Sequence, residues 1–157
     1  GWIALLGDNR PTFAHKKRGG GSIERFYSSR RKIVLGRGIS CSAFRFSNLS
    51  VKDCFARLRS NQDAELGPTW EIPSDVPEEF LEHMESEHRV KERGKPIWKQ
   101  IGDRPNHYLD ACIQSVCAAL MLKLSGREAM SMAEQSAQDS TEPDVGTINT
   151  ASKAERR

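Results

Sequence analysis

The residues best placed to do chemistry in this chain of 157 residues are His107, Asp110 and Gln114. Spaced at i, i+3 and i+7, they share one face of a helix. That helix is the most apolar run of the sequence, Asn106 to Leu124, with Leu109, Cys112, Ile113, Val116, Leu120 and Leu124 on its other face. A carboxylate inside such a run is costly unless something pairs with it or uses it. One reading pairs Asp110 with a basic side chain or leaves it facing water on a half-buried helix. The sharper reading makes it a ligand of Mg2+ or Mn2+, hard cations that take carboxylate oxygens. Phosphodiester hydrolysis by two such ions needs several carboxylates converging from separate elements, and a rigid helix facing a sheet would supply one of them. The usual signatures of other hydrolytic chemistry are missing: there is no G-x-S-x-G, no P-loop and no H-E-x-x-H.

A second group of residues suits phosphate. The net charge is only +3, but it divides sharply. Residues 1–60 hold 13 Lys and Arg against three acids, whereas residues 61–157 hold 11 against 18. Between Lys16 and Arg37 there are eight basic residues and one acid, Glu24, with Phe26 and Tyr27 among them. Lys16, Lys17, Arg18, Arg25, Arg30, Arg31 and Lys32 are therefore candidate nucleic-acid contacts, because cations with interleaved aromatics suit backbone neutralisation and stacking. The competing reading is a solvated loop with no ligand.

These residues need elements to hold them. Trp2–Leu6 has the length of a buried strand and Lys32–Leu35 reads as a strand, with a further extended piece from Ile39 to Phe46. Residues 15–31, with Gly19-Gly20-Gly21, read as loop. Ser50-Val-Lys-Asp53 has the form of a capping box, followed by Val51, Cys54, Phe55 and Leu58 on one helical face and closed by Arg57 and Arg59. Thr69–Ile72 reads as a short strand. Asp75 caps a helix with Pro77 in its first turn and Val76, Phe80, Leu81 and Met84 as its buried stripe. His88–Glu92 and Pro96–Gln100 read as a hairpin around Gly94. Asn106 is a good N-cap for the last helix, which is expected to pack against the strands at Trp2–Leu6 and Lys32–Leu35. His83 and His88 are isolated, and surface or packing roles are their default.

Composition sets the limits. A hydrophobic content of 37% suggests one domain with a tail, or a domain that leans on missing neighbours. Residues 125–157 carry no aromatic and are expected to extend the helix to about Ala137 and then to be disordered. Cys41, Cys54, Cys112 and Cys117 form no C-x-x-C pair, so free thiols in a reducing compartment are expected. No secretory signal is expected, and no apolar run reaches the length needed to span a membrane. The first methionine is Met84 and the chain opens inside an apolar run, so residue 1 is not expected to be a translational start.

The run Asn106-His-Tyr-Leu-Asp110, followed by an apolar helix containing alanine, resembles the closing motif of phage terminase large subunits, in their lambda-type, GpA-like branch. In that family an Asn, intervening residues including Leu, and an Asp open the last helix of the nuclease domain. Trp70-Glu-Ile-Pro73 and Pro77-Glu-Glu-Phe80 resemble the family's proline-ended strand and the helix after it. Glu87 is similar to the glutamate that closes that helix, and the hairpin with Gly94 and Trp98 follows in the same order. Trp2 to Gly7 resembles a strand and glycine further upstream in the family. Where the family often carries Arg-Asn-Glu, this chain has Pro105-Asn106-His107.

The resemblance covers residues 1–124 and implies an α/β fold, an α+β mixed sheet with flanking helices forming part of a ribonuclease H-like nuclease. It implies two-metal cleavage of double-stranded DNA concatemers with Mg2+ or Mn2+. Asp110 would be the last catalytic acid, supported by Asn106 and His107. It also implies a terminase small subunit and a portal as partners, and the host-cell cytoplasm during phage assembly as location. The family's other acids and its ATPase have no counterpart here, so this chain alone is expected to bind metal poorly and cleave little. The alternative is a noncatalytic DNA-binding or packaging-assembly module, in which Asp110 pairs with a cation.

Overall fold

The computed structural model describes residues 2–62 and 67–124, so the expectations for the tail at 125–157 fall outside the described residues. In chain order the elements are β1 (Ile3–Asp8), β2 (Phe13–Lys16), β3 (Ser22–Arg25), β4 (Arg31–Gly36), β5 (Ile39–Ser47), α1 (Asn48–Ser60), α2 (Glu78–Met84), β6 (Glu87–Glu92), β7 (Lys95–Gln100) and α3 (His107–Met121). β5 is the central strand of a three-stranded sheet, parallel to β1 from Ile3↔Ser42 to Asp8↔Ser47 and antiparallel to β4. The sheet is therefore mixed, and helices complete a mixed α+β architecture. The reversal between β4 and β5 is the pair Arg37-Gly38, both at positive φ (47° and 74°), the twist that a two-residue hairpin requires.

Residues 15–31, expected as loop, instead contain the antiparallel hairpin β2–β3, paired from Phe13↔Arg25 to Lys16↔Ser22. The triple glycine is its turn. Gly20 and Gly21 take φ of 95° and 75°, and the Lys17 amide donates to the Gly21 carbonyl. The signal was hidden because the strands are four residues long and mostly polar, and their apolar anchors are Phe13 and Phe26 at the margins. Phe26 is fully buried, and its carbonyl accepts from the Ser47 amide at 2.7 Å, which ties the hairpin to the end of β5.

α1 begins one turn before the expected capping box. Ser47 is the N-cap, accepting from the Ser50 amide at 3.2 Å, and Ser50 itself lies buried in the first turn. The expected face of Val51, Cys54, Phe55 and Leu58 is buried. Thr69–Ile72 is not a strand. It is strapped to α1 by the Trp70 amide, which donates to the Leu58 carbonyl, and by the Trp70 ring edge-on to Phe55 at 4.8 Å. α2 is capped at Pro77 rather than Asp75 and is short. Its buried face is His83 and Met84, while Leu81 points outward.

β6 and β7 pair from Glu87↔Gln100 to Glu92↔Lys95 around Arg93-Gly94, as the glycine implied. α3 buries Leu109, Ile113, Val116, Cys117 and Leu120, and Leu124 lies exposed beyond its end. Its expected packing against the strands at Trp2–Leu6 and Lys32–Leu35 is incorrect: α3 packs on α1 and α2. The buried stripe of α1 shares one core cluster with Phe46 of β5 and with the apolar face of α3. Apolar burial is non-directional, so a periodic stripe names no partner. None of the four cysteines forms a disulfide. Burial pushes the Cys54 thiol up to about 11 and Cys117 to about 12, so both are inert packing groups at neutral pH.

Candidate functional site

The start of α3 is built from three other elements. Asn106 sits at the N-cap but makes no capping bond with its side chain. Its Nδ2 donates instead to Glu87 Oε1 on β6 at 3.1 Å, and the other oxygen of Glu87 accepts from Lys52 Nζ on α1. The free amide of Tyr108 donates to Nδ1 of His83, a buried histidine on α2, at 3.3 Å. His83 also stacks against Tyr108 at 4.8 Å and meets the His107 ring edge-on at 5.8 Å. Its Nε2 is buried without a hydrogen-bond partner among the described residues, and the nearest carboxylate oxygen, on Glu79, is 3.8 Å away.

Asp110 lies one turn in, its amide bonded to the Asn106 carbonyl at 2.9 Å. The carboxylate is exposed, as are His107 and Gln114. The apolar run therefore imposes no burial cost on it, as in the reading that leaves it facing water on a half-buried helix. Asp110 makes no side-chain hydrogen bond or ion pair among the described residues. Other acids near the core are committed. Asp53 takes a bidentate pair from Arg89 at 2.9 Å and a bond from Trp98 Nε1 at 2.7 Å, and Glu87 takes Lys52 and Asn106. Among the described residues no three of His, Cys, Asp and Glu converge as a metal cage. One open carboxylate fits a single corner of a Mg2+ site, where water and substrate oxygens fill most positions, and it does not amount to a complete site.

Asp8 closes β1 and holds Arg10 (2.9 and 3.0 Å) and Arg45 (3.1 Å). Hydrogen bonds from Arg10, foremost, and from Arg45 hold its carboxyl well below the usual carboxylate range. A depressed pKa in the folded state stabilises above the unfolded value and is lost as pH falls through the folded one. The stability gap between wild type and Asp8→Asn should therefore be full at pH 7 and shrink below about pH 4, the ordinary aspartate value. Parallel urea melts across pH check this, and a gap independent of pH would contradict it.

The basic residues fall into two exposed sets. Lys16, Lys17 and Arg18 stand on the β2–β3 turn, and Arg30, Arg31 and Lys32 lead into β4. The second set borders an open groove of about 870 Å³ that also includes Trp2, Leu35 and Ile39. Arg25 differs. It is half-buried and donates to the Tyr27 hydroxyl at 2.6 Å, with its guanidinium 5.7 Å from that ring. Sequence reading missed Lys52, Asp53 and His83 as partners in the α1–β6–α3 junction. Only Glu87 carried a signal, and partners 35 residues apart leave no local pattern.

Among the described residues no helix is long and apolar enough to cross a membrane. No curated protein and no solved structure matches the chain. The family model described as the terminase large subunit gpA, endonuclease domain, matches residues 45–131, from the end of β5 through α3 and beyond. That span is more than half of the chain and contains the whole α1–β6–α3 junction, so the chain belongs to the terminase large subunit gpA endonuclease-domain family.

Proposed function

We propose that this chain contributes Asp110 to a metal-dependent endonuclease that cuts double-stranded DNA concatemers for packaging into a phage capsid, within a ribonuclease H-like fold. The observation that carries the reading is the state of Asp110: exposed, uncommitted and fixed on the first turn of a packed helix, where the helix dipole favours a carboxylate. The noncatalytic alternative requires a cation partner for Asp110, and none is found among the described residues. Bound Mg2+ or Mn2+ would polarise the scissile phosphate and activate water. The chain's own part is to hold the Asp110 oxygens in place, with Asn106 fixing the helix start and His107 as a polar neighbour. The other ligands would come from outside the described residues. Partners of the assembled machine would be the small subunit and the portal, in the host-cell cytoplasm.

Mn2+ binding to the intact large subunit, followed by electron paramagnetic resonance, tests the ligand role. Asp110→Asn should weaken one site by about tenfold or more, and unchanged affinity in a folded variant would overturn it. The DNA-contact role is tested separately. Replacing Lys16, Lys17 and Arg18 together by Gln should flatten the dependence of log K on log salt by about 0.9 for each phosphate no longer neutralised. An unaltered slope would make the β2–β3 turn a solvated one. Arg25→Gln should flatten it less, because Tyr27 already engages that guanidinium.

A further inference from the structure

We infer that Lys52 and Glu87 are positioning residues for Asp110, acting through Asn106 as a strut from α1 across β6 to the start of α3. The inference rests on the reading of Asp110 as a metal ligand. An N-cap asparagine ordinarily accepts from an amide of its own first turn. Here that amide job belongs to His83, and the Asn106 side chain reaches 19 residues back to Glu87. The start of α3 is thus set by neighbouring elements rather than by itself. Asp110 follows any shift of Asn106, because its amide bonds the Asn106 carbonyl.

The strut is stiff for two reasons. Glu87 is 5% exposed and Lys52 12%, so neither side chain can trade its partner for water. One rung along the same face of the hairpin, Arg89 and Trp98 clasp Asp53, the residue next to Lys52. A buried ion pair is weak evidence of stabilisation, because desolvation offsets most of the attraction. Its use here is placement: the Glu87 carboxylate can satisfy Lys52 and Asn106 together only when α1, β6 and α3 are in register.

The test uses the intact large subunit with Glu87→Ala, the double variant Lys52→Met/Glu87→Gln, and Asp110→Asn as reference. The double variant removes both charges yet keeps an oxygen for Asn106. Glu87→Ala should speed deuterium exchange at the amides of Tyr108 to Asp110. It should also raise the Mn2+ concentration for half-saturation about ten- to a hundredfold and lower kcat, with KM for DNA unchanged. The double variant, which loses the α1 end of the strut and keeps the bond to Asn106, should fall between wild type and Glu87→Ala in each measurement. If Glu87→Ala does not fold, the contrast moves to Lys52→Met/Glu87→Ala, which removes the same bond without stranding a buried lysine. The strut is overturned if the Ala variant, folded, exchanges and binds Mn2+ as wild type does while Asp110→Asn is inactive. It is also overturned if the double variant fails as badly as the single one. A wild-type rate from Asp110→Asn would instead remove the ligand role, and the purpose of the strut with it.

Discussion

Asp110→Asn in the intact large subunit should cut DNA at least about a hundredfold more slowly while binding it as tightly as wild type. Removing one group that stabilises charge developing in a transition state costs about 2.7–4 kcal/mol, a factor of 10² to 10³ in rate. Asn keeps the shape of Asp and removes the charge a divalent ion needs. The fold should hardly notice. Asp110 is exposed and has no partner to strand, so the loss is that of a carboxylate near a helix N-terminus, about 0.3–1 kcal/mol. DNA affinity should hold or rise slightly, because a negative charge leaves the neighbourhood of phosphate. Glu82→Gln, on the wet side of α2, is the matched control and should cut normally. Cleavage at saturating DNA across a Mg2+ titration decides the matter. A rate within about twofold of wild type, alongside an unchanged melting temperature, would leave Asp110 as a solvated surface acid of the ordinary kind.

What the sequence revealed divides along a physical line. Periodic features were legible, because 3.6-residue and two-residue spacing are written locally: the apolar faces of α1 and α3, the β4–β5 strands and the hairpin around Gly94 are as expected. Boundaries failed wherever two residues competed for one job. Ser47 and Ser50 are both good caps, and backbone geometry at the end of β5 gives the role to Ser47. The start of α3 at Asn106 is as expected, although His83 answers the amide and Glu87 takes the side chain. Partners failed altogether. The stripe on α3 stated that something apolar covers it, and it fits α1 as well as it would fit a strand. For the candidate site, the family resemblance singles out Asp110, and composition singles out the basic sets. The shared face of His107, Asp110 and Gln114 was legible from their spacing, and the structure leaves all three exposed, in line with the reading that has Asp110 facing water.

The largest stability effect is expected from Phe55→Ala. Phe55 is 2% exposed, on the α1 stripe between the sheet and α3, with Trp70 edge-on at 4.8 Å and the Arg59 guanidinium 5.8 Å from its ring. Deleting a buried phenyl ring loses transfer energy and leaves a cavity, together about 3–5 kcal/mol. Against a total of about 5–15 kcal/mol for a domain, that is a large fraction, and the melting temperature should fall by more than about 10 °C. Ile113→Val, which trims one methyl group on the facing helix, should cost only about 0.5–1.5 kcal/mol. Leu35→Ala, on the exposed end of β4, should cost about 0.5 kcal/mol or less. The spread separates two pictures of the core. If 67–72 is a loose strap, Trp70 will swing into the vacated space and Phe55→Ala will cost less than about 2 kcal/mol. If the bond from the Trp70 amide to the Leu58 carbonyl holds the strap rigid, the cavity stays open and the full cost appears. In the second case α1 loosens beneath both Lys52 and Asp53. Cleavage should then fail on warming before global unfolding, because the junction that positions Asp110 is carried by that helix.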